Sequence, residues 1–415
     1  MIGGIMKKNV SATQAPQFSE TVREGQAAHR FLVLDSWRGI CSLLIVLFHF
    51  PADNFMNDSS FMKSGFLAVD FFFVLSGFVI ASAYAARLQT PGNIKRFVFV
   101  RFGRLYPLHL FMLSAFAGFE LLRIAAPQLA GEGAAPFSGP TNLSSFVTNL
   151  LLIHGWGIEA GLTWNSPSWS ISTEFFAYLY FALVVGILPK AWRMLILVAV
   201  ILGAPVVLVL YSPRYMDASF DYGLIRCLFG FSLGVMLYTL RGEKIVQMRS
   251  ELEANMASGK HHVPWSLAEI AVVIAVIVFM TLFGTTPIGI ASPLIFALAI
   301  HVFAHEAGLL SKFLLKRSLI FLGSISYSLY IVHIFIQSRI INAANFMDRR
   351  INLGMIGEID MHGLMQTGLA AGKPFLGLAL TILMVIIVVI AARLTWRFIE
   401  MPALGWFRQR SKRIT

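Results

Sequence analysis

Charge is scarce in this chain. Asp, Glu, Lys and Arg make up 13% of it against 57% hydrophobic residues, and the mean hydropathy is +0.72. So little polar surface cannot cover a water-facing globule, which excludes the soluble classes. Cysteine is nearly absent. Cys41 and Cys227 both sit inside apolar runs, and neither belongs to a CxxC or a Cys/His spacing, so no disulfide framework and no metal ligand set is expected. The first thirty residues carry Lys7, Lys8, Arg23 and Arg30 but lack an apolar stretch ending in a small-residue cleavage site. They do not read as a signal peptide, and residues 1–30 are expected to form a flexible cytoplasmic tail. No strong internal repeat, low-complexity tract or appended soluble domain is visible. Any chemistry must come from apolar segments and their connections.

Those segments are abundant. Apolar runs lie near 31–50, 65–85, 103–126, 168–188, 191–211, 220–240, 266–284, 288–308, 319–341 and 375–398, each close to the ~20 residues that cross a bilayer as a helix. The fold expected is an all-α, polytopic membrane bundle of about ten transmembrane helices, a single domain over 31–404 followed by a basic cytoplasmic tail over 405–415. The shorter run at 143–154 falls below the ~17 residues a span needs and reads as re-entrant or interfacial. A net charge of +12 could suggest nucleic acid, yet the cations lie between apolar runs and not on one polar face. Ten spans with a cytoplasmic N-terminus place Arg87, Lys95, Arg96, Lys190, Arg193, Arg241, Lys244, Arg249, Lys260, Lys312, Lys316, Arg317, Arg408, Arg410, Lys412 and Arg413 inside, in agreement with the positive-inside rule. Asp53, Asp58, Lys63, Glu132 and the mixed loop 342–374 stay outside. Both termini are then cytoplasmic.

The first apolar run carries the most information. It reads Leu34-Asp35-Ser36-Trp37-Arg38-Gly39 and continues apolar to His49. At about 100° per residue, Arg38 and His49 point within ~20° of each other and lie ~16 Å apart along the axis. Asp35 and Ser42 fall on that face too. A charge within hydrocarbon costs roughly 2.5–3.5 kcal/mol on insertion scales, so such a stripe points to function. The alternative is an interfacial Asp35–Arg38 pair at one end with His49 marking the other interface. Arg226 is a further intramembrane charge, and its partner is not readable from the sequence.

From this run onward the chain resembles the membrane acyltransferase 3 family of bacterial O-acyltransferases, which modify surface polysaccharides, lipopolysaccharide and peptidoglycan. The family's first helix carries an Arg, ten residues and a His, here Arg38 and His49 within LDSWRGICSLLIVLFHF. GFLAVDFFFVLSGFVI resembles its second helix, and RFGRLYP its Arg-x-x-Arg motif. PSWSISTEFFAY is similar to its Ser-Trp-Ser stretch with a following Glu, Glu174; GSISYSLYIVH and Ile399-Glu400-Met401-Pro402 complete an ordered set from about 31 to 404. Two departures stand out: Phe175 follows Glu174 where the family often has a second acid, and Met401 occupies the middle of the Glu-Arg-Pro-like ending.

Acyl transfer from a thioester to a sugar hydroxyl needs a base for the hydroxyl proton and a donor for the oxyanion. The resemblance implies an O-acetyltransferase with His49 as that base, supported by Arg38 and Asp35. Arg101 and Arg104, three apart on one helix face, would hold the phosphates of acetyl-CoA, the co-substrate, although a merely topological role is also open. Glu174, Trp169 and Ser170 would meet a glycan or lipid-linked saccharide acceptor, or Glu174 is an interfacial carboxylate. Tyr327, Tyr330 and His333 share a helix face, which places Tyr327 and His333 among candidate substrate-binding residues or in packing. Cys41 lies one turn beyond Arg38, but no nearby base makes it a thiolate, so direct transfer is expected. Glu400 reads as structural. The rival classes are a transporter or flippase, which predicts inverted repeats that are not found, and an inactive partner in polysaccharide assembly. The expected location is the bacterial inner membrane.

Overall fold

The computed structural model describes residues 30–127, 135–257, 263–352 and 354–414. The expectations for residues 1–29, Glu132 and Lys260 fall outside them. The elements used below are α1 (Leu32–Phe48), α2 (Ala68–Tyr84), α3 (Pro91–Ala125), α4 (Leu143–Leu150), α5 (Trp169–Gly186), α6 (Lys190–Tyr211), α7 (Gly223–Ala257), α8 (Val263–Phe283), α9 (Ser292–Phe303), α10 (Arg317–Ser324), α11 (Ser326–Ile351), β1 (Ile356–Met361), β2 (Leu364–Leu369), α12 (Pro374–Thr395) and α13 (Met401–Ser411).

The chain is a helical membrane protein. Among the described residues, seven helical stretches are long and apolar enough to cross a bilayer, and α10 with α11 adds an eighth if that pair, bent by 66°, counts as one span. The other two expected spans are shorter, one at the ~17-residue limit and one interrupted. Helix α1 has 17 residues, about 26 Å at 1.5 Å per residue. The run near 288–308 forms a 3₁₀ turn, Pro287–Ala291, before the twelve residues of α9. Helix α4 has eight residues, too few to span, as its short apolar run suggests.

Local chemistry sets the ends. Thr90 caps α3 by accepting from the Asn93 amide (3.3 Å), and Pro91 occupies the first turn, where its missing N–H does no harm. Asn142 caps α4 in the same way through the Ser145 amide (2.8 Å). After α12 the chain forms a π turn at Trp396–Glu400 and continues directly into α13. The segment expected as a C-terminal tail from 405 is therefore helical to Ser411. It is docked by Phe407, whose ring lies 4.8 Å from that of Phe99 and fills the space beside Gly103.

Small residues bring helices to backbone contact, as in other membrane bundles. A Cβ on Gly39 would lie 2.6 Å from the Gly323 nitrogen, so α1 and α10 meet without side chains between them. Arg226 on α7 finds its partner in Asp70 on α2. Its Nε and Nη2 donate to the two carboxylate oxygens, each at 2.8 Å, and further bonds run to the Ala218 and Phe66 carbonyls. Both side chains are buried.

The loop expected over 342–374 is largely structured. Helix α11 extends to Ile351, and β1 and β2 pair antiparallel from Ile356↔Leu369 to Met361↔Leu364. The two-residue turn, His362 (φ 60°) and Gly363 (φ 89°), has the paired positive φ of a type I′ hairpin. Leu369 bonds back to the segment after α1, donating to the Pro51 carbonyl and accepting from the Asp53 amide.

Candidate active site

A polar cavity of about 140 Å³ lies between α1, α2, α3, α5 and α11. Its lining includes Arg38, Ser42, Ser76, Arg101, Arg104, Glu174, Tyr178, Tyr327 and Tyr330. Residues from five helices converge here because each helix turns its few polar side chains away from lipid.

The arginines are not equivalent. Arg38 donates from Nε to Ser326 Oγ (2.8 Å) and from Nη2 to the Gly323 carbonyl (3.0 Å), and it pairs with Asp35 at 3.2 Å. Arg104 is paired with the buried Glu400, whose second oxygen accepts from Ser328 (2.6 Å). Its guanidinium also lies over the Tyr327 ring at 5.3 Å. Arg101 makes no ion pair among the described residues. It is held instead by aromatic faces, with Cζ 4.8 Å from the Tyr84 centroid and 5.7 Å from that of Tyr178, and its Nε is buried without a hydrogen-bond partner. Among the described residues, Arg101 is thus the arginine of the cavity that forms no ion pair. Glu174 accepts from Ser76 (2.8 Å) and Tyr178 (2.6 Å).

Beyond Tyr330 lies a second polar group. His49, at the end of α1, holds Nδ1 2.9 Å from the Ile45 carbonyl, so its ring is fixed as the Nδ1–H tautomer with Nε2 left as the basic nitrogen. Its centroid is 5.1 Å from that of His333. His333 is anchored in the same manner to the Tyr330 carbonyl (2.6 Å), and its Nε2 is buried without a partner. Gln337 donates to the Val46 carbonyl (2.7 Å), which fixes α11 against α1 at this level. Tyr330 joins the two groups: it lines the cavity, its hydroxyl is 2.9 Å from Ser170 Oγ, and His333 follows one turn later.

The expected site residues therefore divide. Arg38, Arg101, Arg104, Glu174 and Tyr327 meet in one cavity. Asp35 stands behind Arg38, and Ser170 behind Tyr330. His49 and His333 form the separate pair. Trp169 lies elsewhere: its ring faces Phe73 and sits over Arg226, with Cζ 5.5 Å from the centroid, so it covers the Asp70–Arg226 pair. Glu174, expected as an acceptor contact or an interfacial carboxylate, shares the arginines' cavity and stands more than a turn inside α5. Sequence reading missed Ser76, Tyr178 and Glu400 as partners. Tyr178 follows Glu174 by four residues and was legible from helical spacing; Ser76 and Glu400 come from distant helices and left no local signal.

A bundle of membrane-length helices enclosing an arginine-rich cavity defines an integral membrane protein with a buried polar site. The chain matches the Acyltransferase domain family, Acyl_transf_3, over residues 31–397, and it belongs to that family. Protein 2 in picA locus of Rhizobium radiobacter is 35% identical over 158 residues, 35% of this chain and 77% of that protein. Acyltransferase MdmB of Streptomyces mycarofaciens is 37% identical over 121 residues, 29% of this chain and 28% of the relative. Peptidoglycan O-acetyltransferase OatA of Listeria monocytogenes is 24% identical over 318 residues, 72% of this chain and 48% of the relative. The chain thus spans less than half the length of these last two relatives. No solved structure matches it.

Proposed function

We propose that this protein is an O-acetyltransferase of the bacterial inner membrane, with both termini cytoplasmic, that moves an acetyl group from acetyl-CoA to a hydroxyl of a glycan or lipid-linked saccharide. The observation that carries the donor side is Arg101, a cation without an ion pair among the described residues, lining a cavity that Tyr330 also lines. A guanidinium held on aromatic faces keeps its N–H groups free for phosphate or carbonyl oxygen. The acceptor side is carried by His49, whose tautomer leaves Nε2 able to take a proton.

In this reaction the hydroxyl oxygen attacks the thioester carbonyl while His49 Nε2 takes its proton. A C–O bond forms, the oxyanion is stabilised by N–H and O–H donors, the C–S bond breaks, and the sulfur leaves as the thiol with the proton returned by the imidazolium. His333, whose ring packs 5.1 Å from that of His49, positions the base, and Tyr330 beside it forms part of the cavity wall. Arg38, held by Asp35, Ser326 and Gly323, positions α1 against α10 and offers its charge to the cavity wall.

The test is acetyl-CoA binding and transfer to saccharide acceptors by purified protein in nanodiscs, wild type beside Arg101→Ala and His49→Ala. Loss of the base should lower turnover by roughly 10²–10⁴-fold with donor binding retained. Loss of Arg101 should weaken donor binding by roughly tenfold or more. Folded wild type that binds no acetyl-CoA would sink the proposal and favour a transport or partner role.

A further inference from the structure

The cavity is too small for the donor just proposed. Sites that enclose drug-sized ligands take roughly 300–1,000 Å³, and about 140 Å³ has room only for the reactive end of a coenzyme A thioester. A second pocket, of about 350 Å³, lies between the C-terminal end of α2, the first turns of α3 and the last turns of α13. Four cations line it, Arg87, Arg96, Arg408 and Lys412, with Tyr84 and Phe97, and no carboxylate appears in its lining among the described residues. Arg408 and Lys412 are four apart and share one face of α13.

The two spaces are neighbours. Tyr84 and Phe97 pack edge to face at 4.9 Å, and the Arg101 guanidinium of the first cavity lies 4.8 Å and 5.9 Å from their centroids. One layer of side chains separates them. Arg96, Arg408 and Lys412 bring like charges together around a concave, aromatic-walled surface, which suits a polyanion, and aromatic rings beside guanidinium groups suit a purine ring.

We infer that this second pocket binds a phosphorylated nucleotide, namely the 3′-phosphorylated adenosine diphosphate end of the acyl-CoA donor, with the C-terminal end of α13 supplying Arg408 and Lys412. The inference rests on the donor reading above. It makes the C-terminal helix a specificity element: the pocket selects donors that carry the 3′-phosphate, while the cavity beyond Arg101 receives the thioester.

The experiment compares KM for acetyl-CoA and acetyl-3′-dephospho-CoA in wild type, in Arg408→Ala/Lys412→Ala and in Arg96→Ala, with thermal unfolding checking that each is folded. Wild type should prefer acetyl-CoA by roughly tenfold or more, and each variant should lose most of that preference through a higher KM for acetyl-CoA. Arg408→Lys/Lys412→Arg should retain it. Equal preference in wild type and variants overturns this inference while leaving the donor reading intact; no turnover of either donor by folded wild type overturns both. Unchanged preference with a lost dependence on anionic phospholipid in the nanodisc also overturns it and assigns the pocket to a lipid headgroup.

Discussion

Arg226 shows what a single buried charge requires in this protein. Its guanidinium meets both oxygens of Asp70 and two backbone carbonyls, with Trp169 laid over it. Truncating one member leaves the other charged and unpartnered, at about 3–5 kcal/mol, whereas replacing both with apolar side chains removes the demand altogether. Arg226→Ala should therefore lower the thermal unfolding midpoint in detergent much more than Asp70→Leu/Arg226→Leu does; equal losses would show that the pair is not the source of the stability. The same contrast explains what the sequence reveals at this scale. A lone arginine in an apolar run announces a partner, but Asp70 lies 156 residues earlier and no spacing rule connects them. Arg38, Ser42 and His49 were legible as one stripe of α1, yet a stripe is 16 or so ångströms long. Its Arg38 end opens on the cavity, and its His49 end meets His333 beyond Tyr330.

Among the elements, the β1–β2 hairpin was the least visible in advance. Neither strand is rich in β-branched residues, and the His-Gly turn is not one of the strong hairpin pairs. Its tip docks on the end of α1: the His362 ring stacks on Phe48 at 4.3 Å, and Nε2 lies 2.9 Å from the Phe48 carbonyl, next to His49. Burial holds the His362 imidazole below its usual value; the Phe48 carbonyl and Asp360 oppose this, and Lys63 adds to it. The other ring nitrogen, Nδ1, is buried without a partner, so a second proton there would find no acceptor. Because the docked state binds this proton less readily than the undocked one, docking is fully favourable above about pH 6.5 and weakens as the pH falls through and below it. Amide exchange over 356–369, taken relative to the intrinsic rate at each pH, should accelerate between pH 7.5 and pH 5, and His362→Gln should flatten that dependence. Acceleration that persists in His362→Gln would assign the effect to another group.

At the scale of the whole molecule, the apolar runs located the helices well and their lengths less well. The run at 319–341 reads as one span, but it breaks at Ser324–Ser326 into two helices at 66°. Hydropathy is blind to such a bend, since both halves are apolar; Gly323, beside the break, packs against the α1 backbone. The arrangement proposed for the membrane is directly testable. With both termini cytoplasmic, a cysteine at the exposed Met365 on β2 should react with an impermeant maleimide in intact cells, and one at Lys412 only after permeabilisation. The reverse pattern would turn the donor pocket away from the cytoplasm and separate it from its proposed ligand.

The break between α10 and α11 has a mechanical side. The Gly323 carbonyl stands at the last turn of α10, where it meets the Ile325 amide at the helix end and also accepts from Arg38. The same guanidinium holds Ser326, the first residue of α11. Arg38 thus acts as a pin through a hinge, with one arm on each leaf, and Asp35 keeps the pin from turning. A lysine would keep the charge but has no planar fork to grip both leaves at once. The angle of α11 would then be free to relax, and with it the positions of Tyr327, Tyr330 and His333.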